Sequence, residues 1–148
     1  MFNGGIGGRR ASEDLGRMLD LINQLQPEVM VLMEGVNDLN GGASVTATAN
    51  AIEDMVRAAR ARNVRVLLST LTRINPTGTK QLPTASLIPQ FNAVLASIAA
   101  AKDANLVDVF PHIGIELVAP DGLHLLEAGN QRLAELYLEA LILLFESR

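Results

Sequence analysis

The chain has 148 residues, 49% of them hydrophobic and 3% aromatic, with no cysteine and a formal net charge of −4. That length supports one domain over residues 1–148 that withdraws roughly two-thirds of its unfolded surface from water, and the cysteine count excludes disulfides, thiolate metal sites and a cysteine nucleophile. Basic residues cluster only at Arg9-Arg10 and the spaced Arg57, Arg60 and Arg62, and few rings offer base stacking, which argues against a nucleic-acid surface.

The N-terminus places four of the 12 glycines in its first eight residues and lacks the basic-then-apolar profile of a signal peptide. Leu15, Met18, Leu19, Ile22 and Leu25 then recur three and four apart, which predicts a helix starting near Ser12 and ending near Pro27. Residues 28–34 form a short apolar run with the look of a buried strand. A second helix is expected over 44–62, with Ala51, Ile52, Met55, Val56 and Ala59 on one face and Asn63 as its stop. Residues 64–70 read as the next strand, and 72–85 as a long polar loop, either a solvated surface segment or the rim of a ligand crevice. A third helix is expected from Ser86 as N-cap, burying Leu87, Phe91, Val94, Leu95 and Ile98. Residues 106–110 predict a strand, and 127–145 a last helix carrying Leu133, Leu136, Tyr137, Ala140, Ile142 and Leu144. The most apolar run, 136–145, is interrupted by Glu139 and too short to span a bilayer, so no membrane span is expected. Strand and helix alternating at this spacing predict βα units, a parallel sheet and a three-layer α/β/α sandwich.

Three polar clusters fall where such a fold gathers chemistry, at the carboxyl ends of strands. Asn3-Gly-Gly-Ile-Gly-Gly8 could point backbone N–H groups at an anion, but Arg10 stands where a dinucleotide fingerprint needs its third glycine. Taken alone it is a flexible glycine-rich start. Gly35-Val-Asn37-Asp38 follows the first strand; a side-chain amide there can donate to developing negative charge, although the same residues are ordinary turn formers. Asp121-Gly-Leu-His124 has the spacing at which a carboxylate folds back onto the imidazole Nδ1–H, fixing the tautomer and leaving Nε2 as a base. His112 has no such companion and reads as structural.

In this order, the glycine turn with Gly8, the Gly-x-Asn-Asp with Asn37 and the Asp-Gly-x-His with Asp121 and His124 resemble the SGNH, or GDSL-like, esterase and lipase family over nearly the whole chain. The resemblance implies a flavodoxin-like parallel sheet and a serine ester hydrolase that acts by acyl transfer on a small-molecule ester with no metal or organic cofactor. It implies that the Gly8 N–H and the Asn37 amide complete an oxyanion hole, that His124 is the general base and that Asp121 orients it. Leu125 stands where proline is common.

One departure is larger. The family's first block, Gly-Asp-Ser at the end of strand one, supplies the nucleophile and precedes the glycine turn; no Gly-Asp-Ser occurs here. Ser12, Ser44 and Ser86 suit helix starts, Ser97 sits mid-helix and Ser147 is terminal, which leaves Ser69, at a strand end, as either an ordinary strand-end hydroxyl or the candidate substitute nucleophile. The expectation is an N-terminally shortened family member lacking the first strand. In the order 2-1-3-4-5 that loss exposes two strand edges around an interior slot, and it predicts a homo-oligomer or strand-exchanged dimer. The competing readings are a catalytically silent module that binds an acyl, glycan or protein partner, and a nucleotide-binding domain resting only on the glycines.

Overall fold

The computed structural model describes residues 1–80 and 82–146; Ser147, and Gln81 within the expected rim loop, lie outside the described residues. The three apolar runs become β1 (Val29–Leu32), β2 (Arg65–Ser69) and β3 (Asn105–Val107). They pair in the order β1-β2-β3, all parallel, with Met30 opposite Val66 and Leu68 opposite Leu106. Parallel neighbours need long returns. Those returns are helical: α3 (Val45–Arg60) between β1 and β2, and α4 (Ile88–Ala101) between β2 and β3. Before β1 runs α1 (Ala11–Leu25), the short α2 (Val36–Asn40) follows it, and α5 (Glu127–Glu146) closes the chain.

Alternation along β2 divides the core. Val66 and Leu68 face α1, α3 and α4, where Ile52, Met55, Val56, Phe91 and Leu95 are buried. Leu67 points to the opposite face and joins Val107, Val109, Ile113 and Leu136 beneath α5. Helices therefore cover both sheet faces, the three-layer arrangement that the strand-helix alternation predicts.

The expected interior slot does not occur. The three strands are contiguous, so among the described residues the sheet has one free edge along β1 and one along β3. Because α5 packs against β3, Val31 of β1 and Met33 just beyond its end, both on the α5 side, remain 38% exposed. Leu25 and Ile142, apolar positions of the two helices that the sequence predicts at 12–27 and 127–145, are exposed as well.

Two expected helix caps are different too. Ser44 does cap α3, its hydroxyl accepting from the Ala47 N–H at 3.1 Å. Ser12 lies inside α1, which begins at Ala11. Ser86 lies in a 3-10 turn, Pro83–Leu87, that leads directly into α4, and its hydroxyl turns back to the Pro83 carbonyl at 3.4 Å. A helix entered from a 3-10 turn has its first N–H groups partly engaged and does not need a side-chain cap. The same continuity makes Pro83–Ala101 one helical stretch long and apolar enough to cross a membrane by length and composition, which the sequence reading missed. In this fold it is a core element, with Ile88, Phe91, Leu95, Ile98 and Ala99 buried.

Candidate active site

The strand ends and the loops after them enclose a cleft of about 280 Å³. Gly8, Asn37 and His124 all line it, together with Met33, Leu71 and Thr72. The fold thus brings together three positions that are far apart in the chain.

The Asp121 turn is built from its own hydrogen bonds. One carboxylate oxygen, Oδ1, accepts from the backbone N–H groups of Leu123 at 2.9 Å and His124 at 3.0 Å. The other, Oδ2, lies 2.5 Å from His124 Nδ1 and 3.2 Å from the Lys80 ammonium. These donors, the Leu123 N–H first among them, hold the Asp121 carboxyl well below the usual carboxylate range. In the neutral ring, an ionised Asp121 favours the Nδ1–H tautomer of His124, in which Nε2 carries the lone pair. Gly122 adopts φ +87°, a conformation that side-chain-bearing residues rarely tolerate, and this bends the chain enough for Asp121 to reach the ring.

Gly-Val-Asn-Asp is not a simple turn here: it opens α2. Gly35 has φ +111°, and a Cβ there would stand 2.7 Å from the Phe91 ring, so only glycine lets the chain leave β1 over the core. Asn37 donates from Nδ2 to the Arg9 carbonyl at 2.8 Å, which uses one of its two amide N–H groups and ties it to the glycine segment. Gly8, at φ +80°, forms the turn just before Arg9. Asp38 completes the link by accepting from the N–H groups of Ala11 at 2.8 Å and Ser12 at 3.1 Å, which caps α1 from 27 residues away.

Beneath this segment lies an ionic cluster that the sequence reading did not single out. Asp14 is fully buried and pairs with Arg9 at 2.8 Å and with Arg17, whose guanidinium also holds the Gly4 carbonyl at 2.5 Å. Arg17, with Arg9, pushes Asp14 down to about 2. Burial pushes neighbouring Glu34 up to about 7, with the Asp14 and Asp38 carboxylates adding to the rise. The only advance signal was a carboxylate closing an otherwise apolar strand.

Asn92 and Thr70 were also missed. Asn92 clamps the Leu71 backbone at both ends, accepting from its N–H at 2.8 Å and donating to its carbonyl at 3.0 Å. Thr70 bridges the β2 and β3 ends by donating to Asp108 at 3.0 Å while accepting from the Val109 N–H at 2.9 Å.

Ser69 is not brought to the cleft. It is fully buried, its hydroxyl donates to the Thr70 carbonyl at 2.9 Å, and the Tyr137 hydroxyl approaches it at 3.1 Å. The carboxyl end of β2 directs Leu71 and Thr72 into the cleft instead. No serine among the described residues lines the cleft. His112 is exposed on a 3-10 turn, Phe110–His112, and does not line it either.

Comparison with known proteins agrees with this fold. The GDSL-like Lipase/Acylhydrolase family model matches residues 1–132. A search of curated proteins finds no significant match. Among solved structures, a putative acylhydrolase from Bacteroides fragilis superposes with a TM-score of 0.81 at 23% identity, covering 92% of this chain and 71% of that one. A GDSL-like lipase from Bacteroides thetaiotaomicron superposes with a TM-score of 0.81 at 22% identity, covering 92% and 72%. An acetyl xylan esterase, AlAXEase, gives 0.79 at 21% identity, covering 93% and 78%. At these identities the superpositions establish the fold, the α/β architecture of these esterases and lipases. With the family model extending over most of the chain, this protein belongs to the GDSL-like lipase and acylhydrolase family, a superfamily of carboxylic ester hydrolases.

Proposed function

We propose that the chain hydrolyses carboxylic esters of short acyl chains, with His124 as general base, Asp121 as its orienting partner, and the Gly8 N–H and Asn37 amide as oxyanion donors. The observation that carries this reading is the 2.5 Å contact between His124 Nδ1 and Asp121 Oδ2, which leaves Nε2 available at a cleft that Gly8 and Asn37 also line. A hydroxyl at Nε2 attacks the ester carbonyl and passes its proton to His124. The carbonyl oxygen becomes an oxyanion that accepts from Gly8 and Asn37, where one fixed donor is worth about 3 kcal/mol in the transition state. Collapse breaks the C–O bond, and His124 returns the proton to the departing alcohol. A cleft of about 280 Å³ suits a small acyl group, in keeping with the fold shared with an acetyl esterase and an acetyl xylan esterase.

Two attacking oxygens fit this reading. Water activated by His124 gives slow hydrolysis; a serine hydroxyl carried in alongside β1 gives acyl transfer through a covalent intermediate. The lack of a cleft serine among the described residues favours a second reading, a module that binds an acylated ligand without turning it over. Labelling with an aryl phosphonate separates them. Serine modification that depends on His124 supports acyl transfer, and saturable binding of an acylated ligand without labelling or hydrolysis supports the binding module.

The free edge of β1, flanked by half-exposed Val31 and Met33, further leads us to propose association with a second copy along that edge. Light scattering that returns twice the chain mass supports the pairing, and a monodisperse monomer at high micromolar concentration contradicts it.

A further inference from the structure

Lys80 sits in the loop between β2 and α4, far from the strand ends in sequence, yet its ammonium lies 3.2 Å from Asp121 Oδ2, the oxygen that holds His124. We infer that Lys80 is a positioning residue for the base: it occupies the last acceptor site of the Asp121 carboxylate, and the cleft-rimming loop is docked onto the Asp121 turn to bring it there. The inference rests on the reading of Asp121 and His124 as the base pair.

The docking is backbone to backbone. The Asn75 N–H donates to the Gly122 carbonyl at 2.9 Å, the Thr79 N–H to the Pro120 carbonyl at 2.9 Å, and the Lys80 N–H to the Asp121 carbonyl at 3.2 Å. Gly78 lies so close to Gly122 that a Cβ on either would collide with the facing backbone. An ionised carboxylate accepts about four hydrogen bonds, and Asp121 accepts two from backbone N–H groups, one from His124 and one from Lys80. Lys80 adds to the donors that keep Asp121 ionised. It also shares Oδ2 with the ring and places a positive charge beside it, which opposes charging of the imidazole.

The other charged groups on the packed elements do not offset this. Arg73 in the same loop stacks over Phe110 at 4.4 Å, Arg132 of α5 pairs with Glu135 at 3.2 Å, and Glu116 and Glu127 are exposed.

The test follows the ring directly by NMR titration of the full chain, in which His112 and His124 are the two histidines and His112 serves as internal control. Lys80→Met is expected to raise the pH at which the His124 ring titrates by about half a unit, Lys80→Arg to restore it, and Gly78→Ala to reproduce the rise with Lys80 intact. His112 is expected to stay in place in all three. An unmoved His124 in Lys80→Met, or equal movement of His112, overturns the inference. Because the readout needs no turnover, it stands apart from the hydrolysis assays that test the functional reading.

Discussion

Asp38 accepts from the backbone N–H of Ala11 at 2.8 Å, and this bond joins α2, the short helix after β1, to the start of α1 directly behind the glycine turn. Asn37, one residue earlier, holds the Arg9 carbonyl. The two candidate oxyanion donors are therefore set relative to each other by adjacent side chains of one short helix.

Asp38→Ala removes a buried acceptor from two N–H groups and the charge facing the α1 dipole. The expected loss is about 2–3 kcal/mol in chemical denaturation. Ser12→Ala, at a residue that the sequence suggests as the cap, is expected to change stability by less than about 0.5 kcal/mol. A larger cost for Ser12→Ala than for Asp38→Ala contradicts the long-range cap.

Gly35→Ala forces a Cβ to within 2.7 Å of the Phe91 ring at a backbone angle of +111°. Strain and overpacking together predict a destabilisation of about 2–4 kcal/mol. Pairing it with Phe91→Leu recovers the overpacking part only, since the backbone strain persists. Denaturation midpoints of the single and double variants check this.

Glu34 gives the fold a pH dependence. Its carboxyl is raised from the ordinary 4.5 to about 7, so the folded state favours the protonated form. The associated stability is complete below about pH 4.5 and is lost as the pH rises through 7. Glu34→Gln keeps the neutral form at every pH. It is expected to exceed the wild type at pH 8 by about 1–2 kcal/mol, after discounting the full shift for solvent screening, and to converge with it near pH 5. Asp14 acts in the opposite sense at lower pH: its depressed value of about 2 means that its contribution is lost as the pH falls from 3.8 through 2. Equal stability differences between wild type and Glu34→Gln at pH 5 and pH 8 contradict this assignment.

What the sequence made legible follows from what is local. Periodicity located α3 to within two residues of its observed end, and Ser44 was recognisable as its cap because that hydrogen bond spans three residues. Asp121 and His124 were legible for the same reason. Most of the misses that bear on the site are long-range. Nothing near Ser12 reveals that Asp38 caps its helix, and nothing near Lys80 reveals Asp121 as its partner. Ser69 looked eligible as a strand-end hydroxyl, but strand alternation turned it beneath α5, towards Tyr137, and left Thr72 facing the cleft. The expected interior slot failed because the three strands present are consecutive neighbours in the sheet.

The role of the cleft is tested most directly by hydrolysis of a short-chain aryl ester by purified wild type, His124→Ala and Ser69→Ala. His124 has an exposed side chain, so its truncation leaves the core untouched. The account predicts hydrolysis above the buffer rate in the wild type, a fall of about 10²–10⁴-fold in His124→Ala, and a rate within about twofold of wild type in Ser69→Ala. Equal rates in wild type and His124→Ala, or loss of activity in Ser69→Ala alone, would contradict it.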